Sequence, residues 1–187
     1  MAVAIITGST GLVGSEAVNL FCDKGFDVIG IDNNLRKFFF GKNGSTSWIK
    51  SQLIKRNKNF ISLDIDIRNF SKLNHLFKKY SKNISVIIHC AAQPSHDYGK
   101  KFPFLDFHVN ATGTLNLLEL TKKYCPTAPF IFMSTNKVYG DSPNNLKILE
   151  KKTRWELNKT DINFKGINEN FSIDNSTHSF FGVSKTY

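Results

Sequence analysis

The sequence predicts an α/β fold, a doubly wound parallel sheet with helices on both faces. Three observations predict it. Short apolar runs alternate with amphipathic stretches of helical spacing along the chain. The first run, Ala2 to Ile6, breaks directly into Thr7-Gly8-Ser9-Thr10-Gly11-Leu12-Val13-Gly14. The second, Val28 to Ile31, ends on Asp32, eighteen residues after the last of those glycines.

In chain order, strands are expected at about 2–7, 27–31, 59–63, 84–90 and 128–134. Helices are expected at about 12–24, 48–56, 69–80 and 103–124. Val13, Ala17, Leu20 and Phe21 carry the first helix. Leu73, Leu76, Phe77 and Tyr80 form one face of the third, with Lys72, Lys78, Lys79 and Lys82 around them. Pro126 fits a helix stop before the fifth strand. Right-handed crossovers give a strand order 3-2-1-4-5. Residues 141–178 are polar, rich in Asn and Lys, and aperiodic, so a long loop is expected there. Phe38-Phe39-Phe40 is either a lid over a ligand or packing beneath a loop.

A strand, a glycine turn and a helix N-terminus together make an anion site, because free backbone amides and the helix dipole point at its occupant. Glycine is required where a side chain would block close approach of the backbone. An acid at the tip of the second strand accepts hydrogen bonds from a ribose diol and repels a 2′-phosphate. Asp32 therefore favours NAD over NADP, although Arg36 and Lys37 beside it weaken that preference. The remaining strand ends are Asp66-Ile67-Arg68, His89-Cys90-Ala91-Ala92-Gln93-Pro94 and Ser134-Thr135-Asn136-Lys137-Val138-Tyr139-Gly140. Each faces the edge of the sheet where ligands bind. Ala91 and Ala92 leave room for a cofactor, and a hydroxyl at Ser134 or Thr135 either meets a reacting alcohol or caps a turn.

The 187 residues suffice for one core. No run of about 18 apolar residues exists, which excludes a membrane span by an apolar helix. No basic segment with an apolar signal core precedes the first strand, so a cytoplasmic location is expected. Cys22, Cys90 and Cys125 are widely spaced and read as reduced core thiols, not as a metal site or disulfide framework. The net charge of +10 is uneven: between Arg36 and Lys82 stand twelve Lys/Arg against Asp64 and Asp66. A nucleic-acid patch is one reading of that segment. A lysine-rich solvated surface is the favoured one, and its field would also steer an anionic nucleotide.

The set Thr7-Gly8-x-x-Gly11-x-x-Gly14, Asp32, Asp66-Ile67, Ala91-Ala92-Gln93, Asn110 and Ser134-Thr135 resembles an extended short-chain dehydrogenase/reductase with a Rossmann fold. That group comprises NAD-dependent epimerases and dehydratases acting on nucleotide sugars. The segments Asp32-Asn33-Asn34-Leu35-Arg36, Phe39-Phe40-Gly41, Gln93-Pro94-Ser95-His96-Asp97 and His178-Ser179-Phe180-Phe181-Gly182 are similar to the CDP-paratose 2-epimerase subgroup. The resemblance implies cofactor contacts from Gly8, Gly11, Leu12, Val13, Gly14, Asp32, Asn33, Arg36, Asp66, Ile67, Ala91, Ala92, Gln93, Asn110, Ser134 and Lys185. It implies a nucleotide-sugar substrate, a CDP-linked hexose above others, and a homodimer in the full-length protein. It also implies a catalytic set of a Ser/Thr hydroxyl, a tyrosine, and a lysine four residues after it.

Here the pattern is broken. Thr135 takes the hydroxyl position and Lys185 the lysine position, but Phe181 stands where the tyrosine belongs. His178, Asp174, Ser179 and Tyr187 are the replacement candidates for the acid/base. The alternative is a non-catalytic NAD-binding or sensing protein. The chain also stops two residues beyond Lys185, where relatives continue into a substrate lobe, so 1–187 reads as an incomplete cofactor-binding domain.

Overall fold

The computed structural model describes residues 2–186. Its elements are β1 (Val3–Thr7), α1 (Leu12–Asp23), β2 (Asp27–Ile31), α2 (Arg36–Phe40), α3 (Ser47–Arg56), β3 (Phe60–Leu63), α4 (Phe70–Tyr80) and β4 (Ile84–His89). They continue with α5 (His96–Lys101), α6 (Pro103–Phe107), α7 (Gly113–Tyr124), β5 (Phe130–Phe132), β6 (Ile148–Glu150), β7 (Trp155–Leu157) and α8 (Phe180–Thr186). The five long-range strands pair in the order β3-β2-β1-β4-β5, all parallel, as expected.

Burial on both faces explains why β1 is apolar from Val3 to Ile6, with Thr7 its one polar position. Val3 and Ile5 point to the layer of α4 and α7, where they meet Leu73, Phe77, Leu117 and Leu120. Ala4 and Ile6 point to the layer of α1 and α3, with Val18, Cys22 and Leu53. Each fully buried Ile or Leu contributes about 1.5–3 kcal/mol. Leu73, Leu76 and Phe77 turn inward as their spacing demands, and Tyr80 packs at the margin.

Two local features differ from the sequence expectation, and two more are left open or unmarked by it. The single helix over 103–124 is divided: α6 and α7 flank a π-helical segment at His108–Thr112. Residues 141–178 are not a plain loop but contain the antiparallel hairpin β6–β7, with Ile148 opposite Leu157. Asn34, at positive φ, bonds Ser45, Thr46 and Ser47, tying the end of β2 to the start of α3. Phe39 is buried among Phe38, Tyr98 and Phe102, with ring centroids 5.1–6.3 Å apart. Phe39 is therefore packing between α2 and α5, while Phe38 and Phe40 remain exposed.

The three thiols are free, and burial pushes each up to about 11. Among the described residues no helix is long and apolar enough to cross a membrane.

Candidate cofactor cleft and catalytic edge

The cleft is built from the glycine turn. Gly8 has φ +64°, and a Cβ there would lie 2.7 Å from the Ala91 nitrogen. A Cβ on Gly14 would lie 2.0 Å from the Gly8 carbonyl oxygen. Only glycine lets the turn fold this tightly between β1, β4 and α1. The Gly11 amide donates to the Gly8 carbonyl at 2.9 Å, which closes the turn. No side chain caps α1, and its N-cap is Gly11. The first-turn amides of Leu12, Val13 and Gly14 have no intrahelical acceptor, so they and the helix dipole define an anion site.

The second strand meets this turn. Asp32 Oδ2 accepts the Thr10 amide at 2.9 Å, and Oδ1 accepts the Asn34 amide at 2.8 Å. Each oxygen retains a lone pair for a hydroxyl. Asn33 donates to Asp66 at 2.9 Å, joining the ends of β2 and β3. Burial alone would raise the Asp66 carboxyl, but the Arg68 guanidinium and amide and the Asn33 side chain hold it below its ordinary value.

These groups line one cleft of about 270 Å³. Twelve of the predicted cofactor residues meet there: Gly8, Gly11, Leu12, Val13, Gly14, Asp32, Asn33, Arg36, Asp66, Ile67, Ala91 and Ala92. Thr46, Cys90, Pro94 and Val109 also line it. Thr46 went unseen in the sequence because Asn34 delivers it, through a bond to its amide, from twelve residues away.

Gln93 and Asn110 sit behind the cleft wall. The Gln93 amide donates to Asn110 Oδ1 at 2.9 Å, and the Gln93 side chain folds onto Ser95. Asn110 lies in the π-helical segment and donates to Ser184 at 2.9 Å. It thereby connects the loop after β4 with α8. Ser184 in turn bonds the buried Asp106, whose carboxyl burial raises.

The predicted catalytic residues gather at the ends of β5 and α8, outside that cleft. Ser134 is exposed there. Thr135 Oγ1 accepts the Lys137 amide at 3.3 Å, the capping role anticipated for it. Lys185 is 5% exposed, with Nζ 4.2 Å from the centroid of the Phe132 ring. Burial lowers its ammonium to about 8, while Cys90 and Asp106 pull the other way. A Cβ on Gly182 would lie 2.5 Å from the Lys137 carbonyl, so this glycine seats α8 against the turn after β5. Phe181 sits one turn before Lys185 with the His96 ring edge-on at 6.4 Å.

Of the proposed replacements, His178 bonds the Ile173 carbonyl and lines an outer hollow with Val183 and Thr186. Asp174 bonds Ser172, and Ser179 caps the Gly182 amide. Tyr187 lies outside the described residues. His96, which stands in the segment Gln93-Pro94-Ser95-His96-Asp97 but is not among the acid/base candidates, is the ring that the fold sets against Phe181.

A family model described as GDP-mannose 4,6 dehydratase matches residues 5–155. The chain belongs to this family. It is one of nucleotide-sugar epimerases and dehydratases, as its relatives' descriptions show. The chain is 33% identical over 185 residues to the CDP-paratose 2-epimerase of Salmonella typhi, covering 97% of this chain and 49% of that protein. It is 32% identical over 144 residues to the UDP-glucuronate 4-epimerase of Thermodesulfobacterium geofontis, covering 76% and 42%. Among solved structures, the UDP-Glc/GlcNAc 4-epimerase of Campylobacter jejuni superposes with TM-score 0.71 at 20% identity, over all of this chain and 46% of that one. The UDP-glucose-4-epimerase of Stenotrophomonas maltophila, described with bound NAD, gives 0.66 at 19% identity, over all of this chain and 46% of that one. The chain thus spans about half the length of the curated relatives it matches.

Proposed function

We propose that this chain is the cofactor-binding part of an NAD-dependent nucleotide-sugar epimerase or dehydratase, with a CDP-linked hexose as the substrate class and a cytoplasmic site of action. One observation carries the cofactor reading. The glycine turn, Asp32, Asp66-Ile67 and Ala91-Ala92, drawn from four strand ends, line a single cleft. Their chemistry fits the diphosphate and adenosine ribose of the group. The free amides of Leu12, Val13 and Gly14 bind the diphosphate. Asp32 accepts the adenosine ribose hydroxyls, and its charge disfavours the 2′-phosphate of NADP. NAD supplies hydride acceptance and return. Lys185 offers a cation beside the nicotinamide ribose, and Thr135 a hydroxyl to the substrate oxygen.

Phe181 moves no proton, so the tyrosine's share of the chemistry is missing from its ordinary place. This favours a second reading, a chain that binds NAD without turning over substrate. The Salmonella relative is the reason for choosing a CDP-linked sugar. The dimer reading draws on the exposed apolar side chains of α7 and α8, Leu115, Leu118, Phe180 and Val183.

A chimera tests the enzyme reading. Residues 1–186 are joined to the C-terminal half of the Salmonella epimerase and assayed with CDP-linked and UDP-linked hexoses. Epimerisation of the CDP sugar, raised by Phe181→Tyr, is the expected result. A chimera that binds NAD yet stays inactive with and without the tyrosine supports the non-catalytic reading.

A further inference from the structure

We propose that His89, held as its Nε2–H tautomer, is a positioning residue for the cofactor cleft, acting through Thr7 to hold the Ala91 amide against the glycine turn. The proposal rests on the cofactor reading above.

The proton directions follow one from the next. The Thr114 hydroxyl donates its single proton to the Asn110 carbonyl. Its oxygen is therefore the acceptor in the 2.9 Å bond with His89 Nε2, which must carry hydrogen. His89 is fully buried, and burial, with Lys185 second, drops its pKa to about 3, so the ring is neutral. Nδ1 is then a bare acceptor. Thr7 donates to it at 2.6 Å, and the Thr7 oxygen is left to accept the Ala91 amide at 3.1 Å. Every group in the wire is used once in each role it has.

The wire ends where the cleft is tightest. The Ala91 nitrogen is the atom that a Cβ on Gly8 would meet first. Ala91 and Gly8 both line the cleft, whereas His89 and Thr7 lie beneath it. Phe130 and Phe132 pack against the ring, with centroids 6.0 and 5.6 Å away. A flipped ring would put carbons in the places of Nδ1 and Nε2 and break both bonds. The sequence puts His89 at a strand end without showing this role, because Thr7 and Thr114 are 82 and 25 residues away from it.

Two measurements test this on the chain itself. Long-range proton–nitrogen correlation at pH 7 reads the tautomer directly. The proposal requires hydrogen on Nε2 and a bare Nδ1; the opposite tautomer or a cation overturns it. NAD titration reads the positioning. Thr7→Val keeps the volume but strands the Ala91 amide and His89 Nδ1, so affinity falls about tenfold or more. Thr7→Ser restores the hydroxyl and brings affinity back to within about threefold of the parent, since one hydrogen bond is worth about that range. Affinity unchanged in Thr7→Val, or unrescued by Thr7→Ser, overturns the proposal. Should Thr7→Val not fold, His89→Asn presents an oxygen near the Nδ1 place and retains binding, whereas His89→Gln does not and loses it. Equal losses contradict the wire. A parent chain that takes up no NAD overturns the cofactor reading and the positioning role with it, while the tautomer still reports separately on the wire.

Discussion

The Asp32 carboxylate accepts the backbone amide of Thr10 at 2.9 Å, so the tip of the second strand is fastened to the glycine turn of the first. The group that would hold a ribose also shapes the loop that would hold a diphosphate. Asp32→Ala removes both effects at once. We expect NAD affinity to fall by about 2–3 kcal/mol, the cost of losing a charged acceptor. Asp32→Asn keeps the shape and part of the acceptance, and should narrow the preference for NAD over NADP. Parallel titrations with both coenzymes check this; an unchanged preference would remove Asp32 from the ribose site.

Gly14 is where the turn tolerates least. Its added Cβ would sit 2.0 Å from the Gly8 carbonyl, a backbone atom that cannot swing away. Gly14→Ala should destabilise the chain by roughly 3 kcal/mol or more, a severe steric class of change. Gly25, at φ +81° with open space around it, is the control. Alanine there costs only about 1 kcal/mol of backbone strain. Denaturant midpoints separate the two.

Folding lowers His89 from 6.5 to about 3. Between those values the unfolded chain binds the proton and the folded chain does not, so stability falls as pH falls from 6.5 towards 3. The charged group facing the ring is Lys185, which is cationic throughout that range and adds to the effect. His89→Asn should flatten the acid slope by about 5 kcal/mol across the window. Urea unfolding of parent and variant at several pH values measures the difference, and parallel slopes would mean the ring is not buried as a neutral base.

Lys185 has the opposite end of the scale. Folding lowers it from 10.5 to about 8, so its burial penalises the folded state in full below pH 8. The penalty lifts as pH rises to 10.5. Lys185→Met should therefore be the more stable protein by about 2–3 kcal/mol at pH 7, with the advantage gone near pH 10.5. Cys22 and Cys125, raised to about 11, erode stability above pH 9 in both proteins alike, so the comparison is made between them at each pH. NAD affinity should drop in the same variant that gains stability. A variant that is stabilised yet binds NAD as well as the parent would make Lys185 a core residue only.

The strand order and the cleft were legible because both follow from short-range pattern. Alternating apolar runs and three glycines set the parallel sheet, and Asp32 ends its strand in plain view. The π-helical segment was not legible, since residues 108–112 continue the helical pattern on either side. The hairpin β6–β7 escaped for a different reason. Its strands are three residues each and mostly exposed, so no alternation marks them. Gln93 and Asn110 carry the motif of the cleft, yet their side chains brace its wall from behind. His96 reaches Phe181 across 85 positions, a contact that only the tertiary fold creates.

The most direct measurement is calorimetric titration of the folded chain with NAD. Binding of one NAD per chain, with NADP weaker by about tenfold or more as a carboxylate opposing a 2′-phosphate requires, is the predicted result. Folded protein that gives no heat with either coenzyme, or that prefers NADP, would contradict the assignment of the cleft.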